Sequence, residues 1–211
     1  MQLIKFTHAC VRLHDGDRTL LIDPGEWAEA EAFEGVTDVL VTHEHYDHLD
    51  LDRLAQHPDV KVYAPDPLAG EIRERGLDVT AVAAGDAFVA AGFGVQVVGG
   101  THAEIYEGLP GCANVGYLVT AAGGTGAVYH PGDSVFVPDA PVQTLLVPAS
   151  APWLKLAEAL DFVRAVKPER AFPIHDYMLS TQAGQPNFDR WMDMKGQTEY
   201  ARIPTGGSVD L

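Results

Sequence analysis

The stretch VLVTHEHYDHLD, residues 39–50, sets His43, His45 and His48 among Glu44, Asp47 and Asp50, directly behind the apolar run Val39-Leu40-Val41. Neutral imidazole nitrogens and a hard carboxylate, spaced His43-x-His45-x-Asp47-His48, are the donor types that hold a borderline divalent cation. A tight turn between a strand and a helix can aim alternate side chains at two neighbouring points, which neither regular element could do. His43 and His45 then serve one ion, and Asp47 and His48 serve a second. Glu44, flanked by inward-facing residues, points away.

Four donors are too few for two ions, so more His or Asp must arrive on later strand ends. VQVVGGTHAEI places His102 behind a strand and a Gly99-Gly100 turn. GAVYHPGDS places Asp133 behind a strand, with Gly132 at the bend, and RAFPIHDY places His175 at the end of an apolar run. The assignment that follows is His43, His45 and His102 around one cation, Asp47, His48 and His175 around the other, and Asp133 bridging both. Each cation keeps room for water, as a catalytic site requires and a closed structural site does not.

These ends need strands to carry them. Alternating or continuous apolar runs predict strands in LIKFTHACVRLH, TLLID, DVLVTH, VKVYAP, VTAVAAG, DAFVAAGFGVQVVGG, VGYLVTAAG, GAVYHPGD, VQTLLVPAS, RAFPIHD and SVDL. Helices are predicted in LDLDRLAQH, with Asp50 and Asp52 at its positive end, and in PLAGEIRERG, closed by Gly76. A third, APWLKLAEALDFVRAVKP, is stopped by Pro168, and NFDRWMDMK forms a short last one. No Ser/Gly linker or low-complexity tract divides the chain, so a single domain over residues 1–211 is expected. Two sheets packed face to face, with helices on the outer faces, bury these runs most simply, in an α/β arrangement.

A chain of 211 residues with 46% hydrophobic content can build a sizeable core. It contains no apolar run of about 18 residues, so no membrane span is expected. MQLIKFTHAC has no basic-then-apolar leader pattern, which points to a cytoplasmic protein. Cys10 and Cys112 form no CxxC pair and read as small apolar thiols rather than a disulfide. Thirty acidic against 14 basic side chains give a net charge of −16, a field that disfavours phosphate-backbone binding. A small-molecule substrate is expected, with no nucleic acid and no membrane partner; a homo-oligomer stays open.

The motifs LLIDPG, THEHYDHL, GGTHAEI, YHPGDS and PIHDY, spread over residues 19–178, resemble those of metallo-β-lactamase-fold hydrolases. FTHACVRL and ANVGYLV are similar to the branch that contains L-ascorbate-6-phosphate lactonase-like proteins. The resemblance implies a four-layer αββα sandwich and gives Asp23 a structural role, hydrogen-bonded to the metal-binding loop. It also brings His8 towards the pocket, although a core position for His8 stays open. His130 is read as packing or as a partner behind the ligands, and His14 and His57 as surface residues. Tyr106 and Tyr177, then Trp27, Tyr46, Asn114 and Trp153, are candidates to line the pocket.

Two divalent ions, zinc first and manganese or iron as alternatives, would share a water of lowered pKa. The resulting bridging hydroxide would attack a small ester, lactone or phosphoester. Asp47 and Asp133 are the residues expected to hold and shuttle its proton. β-Lactam hydrolysis is not expected, because no Cys stands in the later ligand positions. Two rivals remain. One is an iron-dependent oxidoreductase, persulfide dioxygenase-like, since the diiron flavoproteins need a Glu where His45 stands and a further domain. The other is a non-catalytic metal-binding module.

Overall fold

In the computed structural model, which describes residues 1–124 and 126–211, the apolar runs form two seven-stranded sheets. The first half of the chain supplies β1 (Gln2–Lys5), β2 (Val11–Asp15), β3 (Arg18–Ile22), β4 (Asp38–Leu40), β5 (Lys61–Pro65) and β6 (Asp78–Val82). With the last strand, β14 (Ser208–Asp210), they lie in the order β14-β1-β2-β3-β4-β5-β6. The second sheet contains β7 (Ala87–Ala90), β8 (Phe93–Gly99), β9 (Val115–Thr120), β10 (Ala127–His130), β11 (Thr144–Pro148), β12 (Arg170–Ile174) and β13 (Glu199–Tyr200). Its order is β13-β12-β11-β10-β9-β8-β7.

Alternation along each strand decides what lies between the sheets and what lies outside them. Leu20 and Ile22 of β3 meet Val115, Tyr117 and Val119 of β9, Leu146 of β11 and Ile174 of β12 in the central core. Leu21, one residue out of phase, packs outward with Val39, Leu54, Leu68 and Ile72, under α1 (Leu51–Leu54) and α2 (Leu68–Glu74). On the far side, Leu118, Leu145 and Val147 pack against Phe162 and Val163 of α3 (Leu156–Val166), and Phe188 and Met192 of α4 (Gly184–Lys195). Each such fully buried side chain contributes about 1.5–3 kcal/mol. The outcome is the αββα order of layers. Among the described residues, no helix is long and apolar enough to cross a membrane.

Several runs break where local chemistry demands it. LIKFTHACVRLH is two strands, because residues 6–10 turn back through the Phe6 N–H bond to Cys10 O (2.9 Å). DAFVAAGFGVQVVGG folds into a hairpin at Ala91-Gly92, both with positive φ (47° and 76°), as a two-residue turn requires. α1 is a single turn capped by Asp50, whose carboxylate accepts the Arg53 N–H (2.9 Å); the helix expected to run to His57 stops short because Pro58 disfavours helical backbone before it. α3 ends at Val166 with Lys167 left-handed (φ 55°), directly before Pro168. α4 begins at Gly184, earlier than NFDRWMDMK, with Pro186 accommodated in its first turn. The two-residue strand β13, paired with β12, has too little apolar pattern to be read in advance.

Candidate metal centre

β1, β3 and β4 run in one direction, as do β8, β10 and β12 in the other sheet. Residues that leave their C-terminal ends therefore emerge on one edge of the sandwich. His8 follows β1, Asp23 follows β3, and the loop from Val41 to Asp50 follows β4; His102, Asp133 and His175 follow β8, β10 and β12.

The backbone bends sharply to aim these side chains inward. His8 (φ 66°), Asp23 (φ 50°) and His175 (φ 54°) all adopt the left-handed conformation, which costs about 1–3 kcal/mol at a non-glycine residue. Local ties offset that cost. His8 O accepts the His175 N–H (3.1 Å) and the buried Lys5 Nζ (2.7 Å), and the Asp23 N–H donates to Leu40 O (3.0 Å). Two glycines allow the loops to touch. A Cβ on Gly25 would sit 2.1 Å from Asp47 O, and one on Gly132 would sit 2.3 Å from Asn114 Oδ1.

Hydrogen bonds behind the histidines select which nitrogen faces inward. His48 Nδ1–H donates to Asp23 Oδ2 (2.6 Å), His102 Nδ1–H to Ala103 O (2.6 Å) and His175 Nδ1–H to Ser150 O. The Thr42 hydroxyl donates to Asp23 Oδ2 (2.7 Å) and so accepts from His43 Nδ1 (3.0 Å). Each of these rings thus turns Nε2 to the centre. His45 is reversed: its Nδ1 lies 3.1 Å from His43 Nε2, and its Nε2 faces Cys112 Sγ at 3.9 Å.

The ligand atoms converge in two clusters. Those of His43, His45, His102 and Asp133 lie within 4.8 Å of one another, and so do those of His8, Asp47, His48 and His175. Asp133 spans the two: Oδ2 is 3.3 Å from His102 Nε2, while Oδ1 is 2.9 Å from His48 Nε2 and 3.2 Å from His175 Nε2. Despite these approaches, His48 Nε2, His102 Nε2, His175 Nε2 and Asp133 Oδ1 are buried without a hydrogen-bond partner among the described residues. One such orphan costs about 1–3 kcal/mol. Four of them aimed at one small volume, all imidazole or carboxylate, fit a pair of divalent cations.

The electrostatics of the two clusters differ. Burial and the neighbouring imidazoles push His43 and His45 below the ordinary histidine value. Burial also opposes charge on His48 and His175, but nearby carboxylates outweigh it. Asp133 and Asp23 raise His48, and Asp133 and Asp47 bring His175 up to about 9. Burial works against charge on Asp133 and Asp47 as well, yet the histidines around them hold both well below the usual carboxylate range. His8 is pulled down to about 4, by burial first, although its Nε2 is 3.1 Å from Asp47 Oδ2.

Above the clusters opens a cleft of about 280 Å³, walled by Trp27, Tyr46, Ile105, Pro152, Trp153 and Met178, with His45, Asp47, His102, Asp133 and His175 on its floor. Trp153 does more than form a wall, since its indole N–H donates to Asp133 Oδ2 (3.0 Å). Asn114 does not line the cleft; it is buried behind it, accepting the Asp133 N–H (2.9 Å) and donating to Pro131 O (2.9 Å). Tyr106 (69% exposed) lies outside the lining on the 104–109 hairpin, and Tyr177 (58% exposed) packs on Trp27 at the mouth, ring centroids 5.0 Å apart. His130 is a tether behind the ligands: it bonds Ala9 O (2.9 Å) and accepts the Gly132 N–H (3.1 Å). Glu44 points to solvent, His14 bonds Thr19 and His57 stacks on Phe33. Thr42, Ser150, Lys5, Ile105 and Met178 were not singled out from the sequence. Only the Thr beside His43 offered a signal there, as a polar residue at the close of an apolar run.

The Beta-lactamase superfamily domain matches residues 2–175. Protein Rv0786c of Mycobacterium tuberculosis is 36% identical over 214 residues, covering 99% of each chain. A UPF0173 metal-dependent hydrolase of Ruegeria sp. is 30% identical over 155 residues, covering 66% of each chain. Among solved structures, Igni18, a metallo hydrolase from Ignicoccus hospitalis, superposes with a TM-score of 0.78 at 19% identity, covering 100% of this chain and 98% of that one. With the layers, the family match and a relative that aligns end to end all in agreement, the chain belongs to the β-lactamase superfamily and has its metallo-β-lactamase fold.

Proposed function

We propose that the protein is a metal-dependent hydrolase that works on small esters, lactones or phosphoesters through a two-cation centre. One observation carries this reading: orphaned imidazole and carboxylate atoms from separate strand ends meet at the floor of an open cleft. The description of the Ruegeria relative as a metal-dependent hydrolase supports it. His43, His45 and His102 would hold one cation, Asp47, His48 and His175 the other, and Asp133 would bridge them. Bound there, divalent cations supply a water of lowered pKa, as hydroxide at neutral pH, and a Lewis acid for the substrate oxygen.

The chain's own groups do the rest. Trp153 and the Asn114-anchored backbone hold the Asp133 carboxylate in one orientation. Asp47 is only partly buried and lines the cleft, so it is the better placed carboxylate to take the proton of the attacking water and return it to the leaving oxygen. His8 steadies Asp47 from behind. The net charge of −16 and the small cleft favour a small molecule over nucleic acid or a membrane surface, in a cytoplasmic protein. Lactones of the L-ascorbate-6-phosphate lactonase-like branch belong among the substrates to be tried.

Metal analysis of the purified protein, followed by assays on lactones, aryl esters and phosphodiesters, tests the reading. Two zinc or manganese ions per chain and turnover lost in Asp133→Ala are expected. Roughly one iron per chain with oxygen consumption would instead favour the oxidoreductase reading.

A further inference from the structure

We propose that the cleft takes esters or lactones with a neutral, apolar acyl group and disfavours substrates that carry an anionic tail beyond the reacting group. This rests on the hydrolase reading and narrows it. The walls supply the first reason. Above the ligands, the surface a substrate would touch is Trp27, Tyr46, Ile105, Pro152, Trp153 and Met178, and among the described residues no lysine or arginine lines it. Ile105 and Met178 are 43% and 66% exposed, which leaves their apolar surface free to be covered by a ligand.

Cations close to the rim in sequence are directed to backbone carbonyls or to solvent. Lys5 is buried and donates to the Phe6 and His8 carbonyls beside Asp176. Arg53 donates to Ala28 O and Glu26 O, and Lys155, on the solvent side of the rim, forms only an exposed pair with Glu158 (3.6 Å). The groove on the outer side of Tyr46 is lined by Glu26, Glu44, Asp50, Asp52 and Glu71, with Arg75 alone among them, and Arg75 is paired to Asp52 (2.7 Å). An anionic tail extending from the reacting group would therefore meet apolar walls and then a row of carboxylates, with no partner for its charge.

Ester hydrolysis suits this arrangement at both ends. The water oxygen bonds to the acyl carbon, the acyl–oxygen bond breaks, and one water proton passes to the leaving oxygen. The acid product loses the other proton. A neutral substrate thus enters and a carboxylate leaves, and the acidic rim favours its departure.

The test uses p-nitrophenyl esters of one leaving group with the full-length protein carrying two zinc ions. Acetate, butyrate and hexanoate vary apolar length, and the succinate half-ester adds a negative charge at nearly constant chemistry. Expected is a rise in kcat/KM of up to about fourfold per added methylene, the equivalent of about 0.8 kcal/mol. Butyrate should exceed the half-ester at least tenfold, and Ile105→Arg should close that gap by improving the half-ester. A flat acyl series or a half-ester as good as butyrate would overturn the proposal and leave the hydrolase reading standing. No turnover of any ester or phosphate by the two-ion protein would overturn both.

Discussion

Behind His48 of the second cluster stands a fully buried carboxylate, Asp23, whereas His43 of the first cluster leans on the Thr42 hydroxyl and His45 on a thiol. The second cluster also owns Asp47 in addition to its share of Asp133, while the first has imidazoles and Asp133 alone. A carboxylate behind an imidazole raises its basicity and its hold on a cation, but it holds a proton equally well. The second cluster is therefore the more charged and the more proton-dependent of the two. In the first, burial and neighbouring imidazoles hold His43 and His45 below the ordinary histidine value. The pair shows that one edge of a sandwich can present similar donors with different demands on pH and metal.

The largest effect should come from removing what the clusters share. Asp133→Ala is expected to cost at least about 10³-fold in kcat/KM and to lower the metal content of a still-folded protein. Circular dichroism alongside metal analysis checks both parts, and full activity in this variant would end the shared-carboxylate scheme.

Asp23→Ala should separate the clusters, weakening the ion of the second by about 10–100-fold and that of the first less, because Asp23 reaches His48 directly and His43 only through the Thr42 hydroxyl. It also leaves the buried Thr42 N–H, Thr42 hydroxyl and His48 Nδ1–H without their acceptor, so denaturant unfolding should show a loss of about 1–3 kcal/mol for each. Equal weakening of both ions would break the distinction drawn here.

Acidity separates them again. A cation entering the second cluster displaces the protons that Asp133, Asp23 and Asp47 keep on His48 and His175. Below about pH 9, the His175 value, apparent affinity there should fall by up to about tenfold per pH unit per proton released. His43 and His45 lie below the ordinary value, so the first cluster should load almost independently of pH from about 7 to 9. In the metal-free protein the sign is opposite to that of the loaded one. A folded pKa of about 9 against an unfolded 6.5 makes His175 stabilising below 6.5, and that contribution is lost as pH rises through 9. Calorimetry in two buffers of different ionisation enthalpy would count the protons.

The smallest effect belongs to Cys112. Its sulfur is 3.9 Å from His45 Nε2, a weak contact, so Cys112→Ala should cost less than about 1 kcal/mol in the affinity of the first cluster only. A larger loss there would make the thiol a true anchor of His45.

Much of this site can be read from the chain before any fold is drawn. Donor type and spacing identify His43, His45, Asp47 and His48 as a group, and apolar runs locate the strand ends that bring His102, Asp133 and His175. Pattern was less informative where a run conceals a turn. LIKFTHACVRLH reads as one strand, yet residues 6–10 reverse the chain, and that reversal is what carries His8 to Asp47. Asn114 and Trp153 are both polar-tipped residues close to motifs, and nothing local distinguishes the one that lies behind Asp133 from the one that walls the cleft.

The division has a physical origin. Which elements can form, and which residues have the chemistry to ligate, follow from side-chain type and from periods of two or a few residues, all of which are local properties. Which nitrogen of His48 and His175 faces inward, how the two clusters come to differ in charge, and which side chains wall the cleft depend on partners such as Asp23 for His48 and Ser150 for His175, brought together only when distant strands align. Those were decided by the packing of the two sheets, because a hydrogen bond between residues far apart in sequence has no local signature.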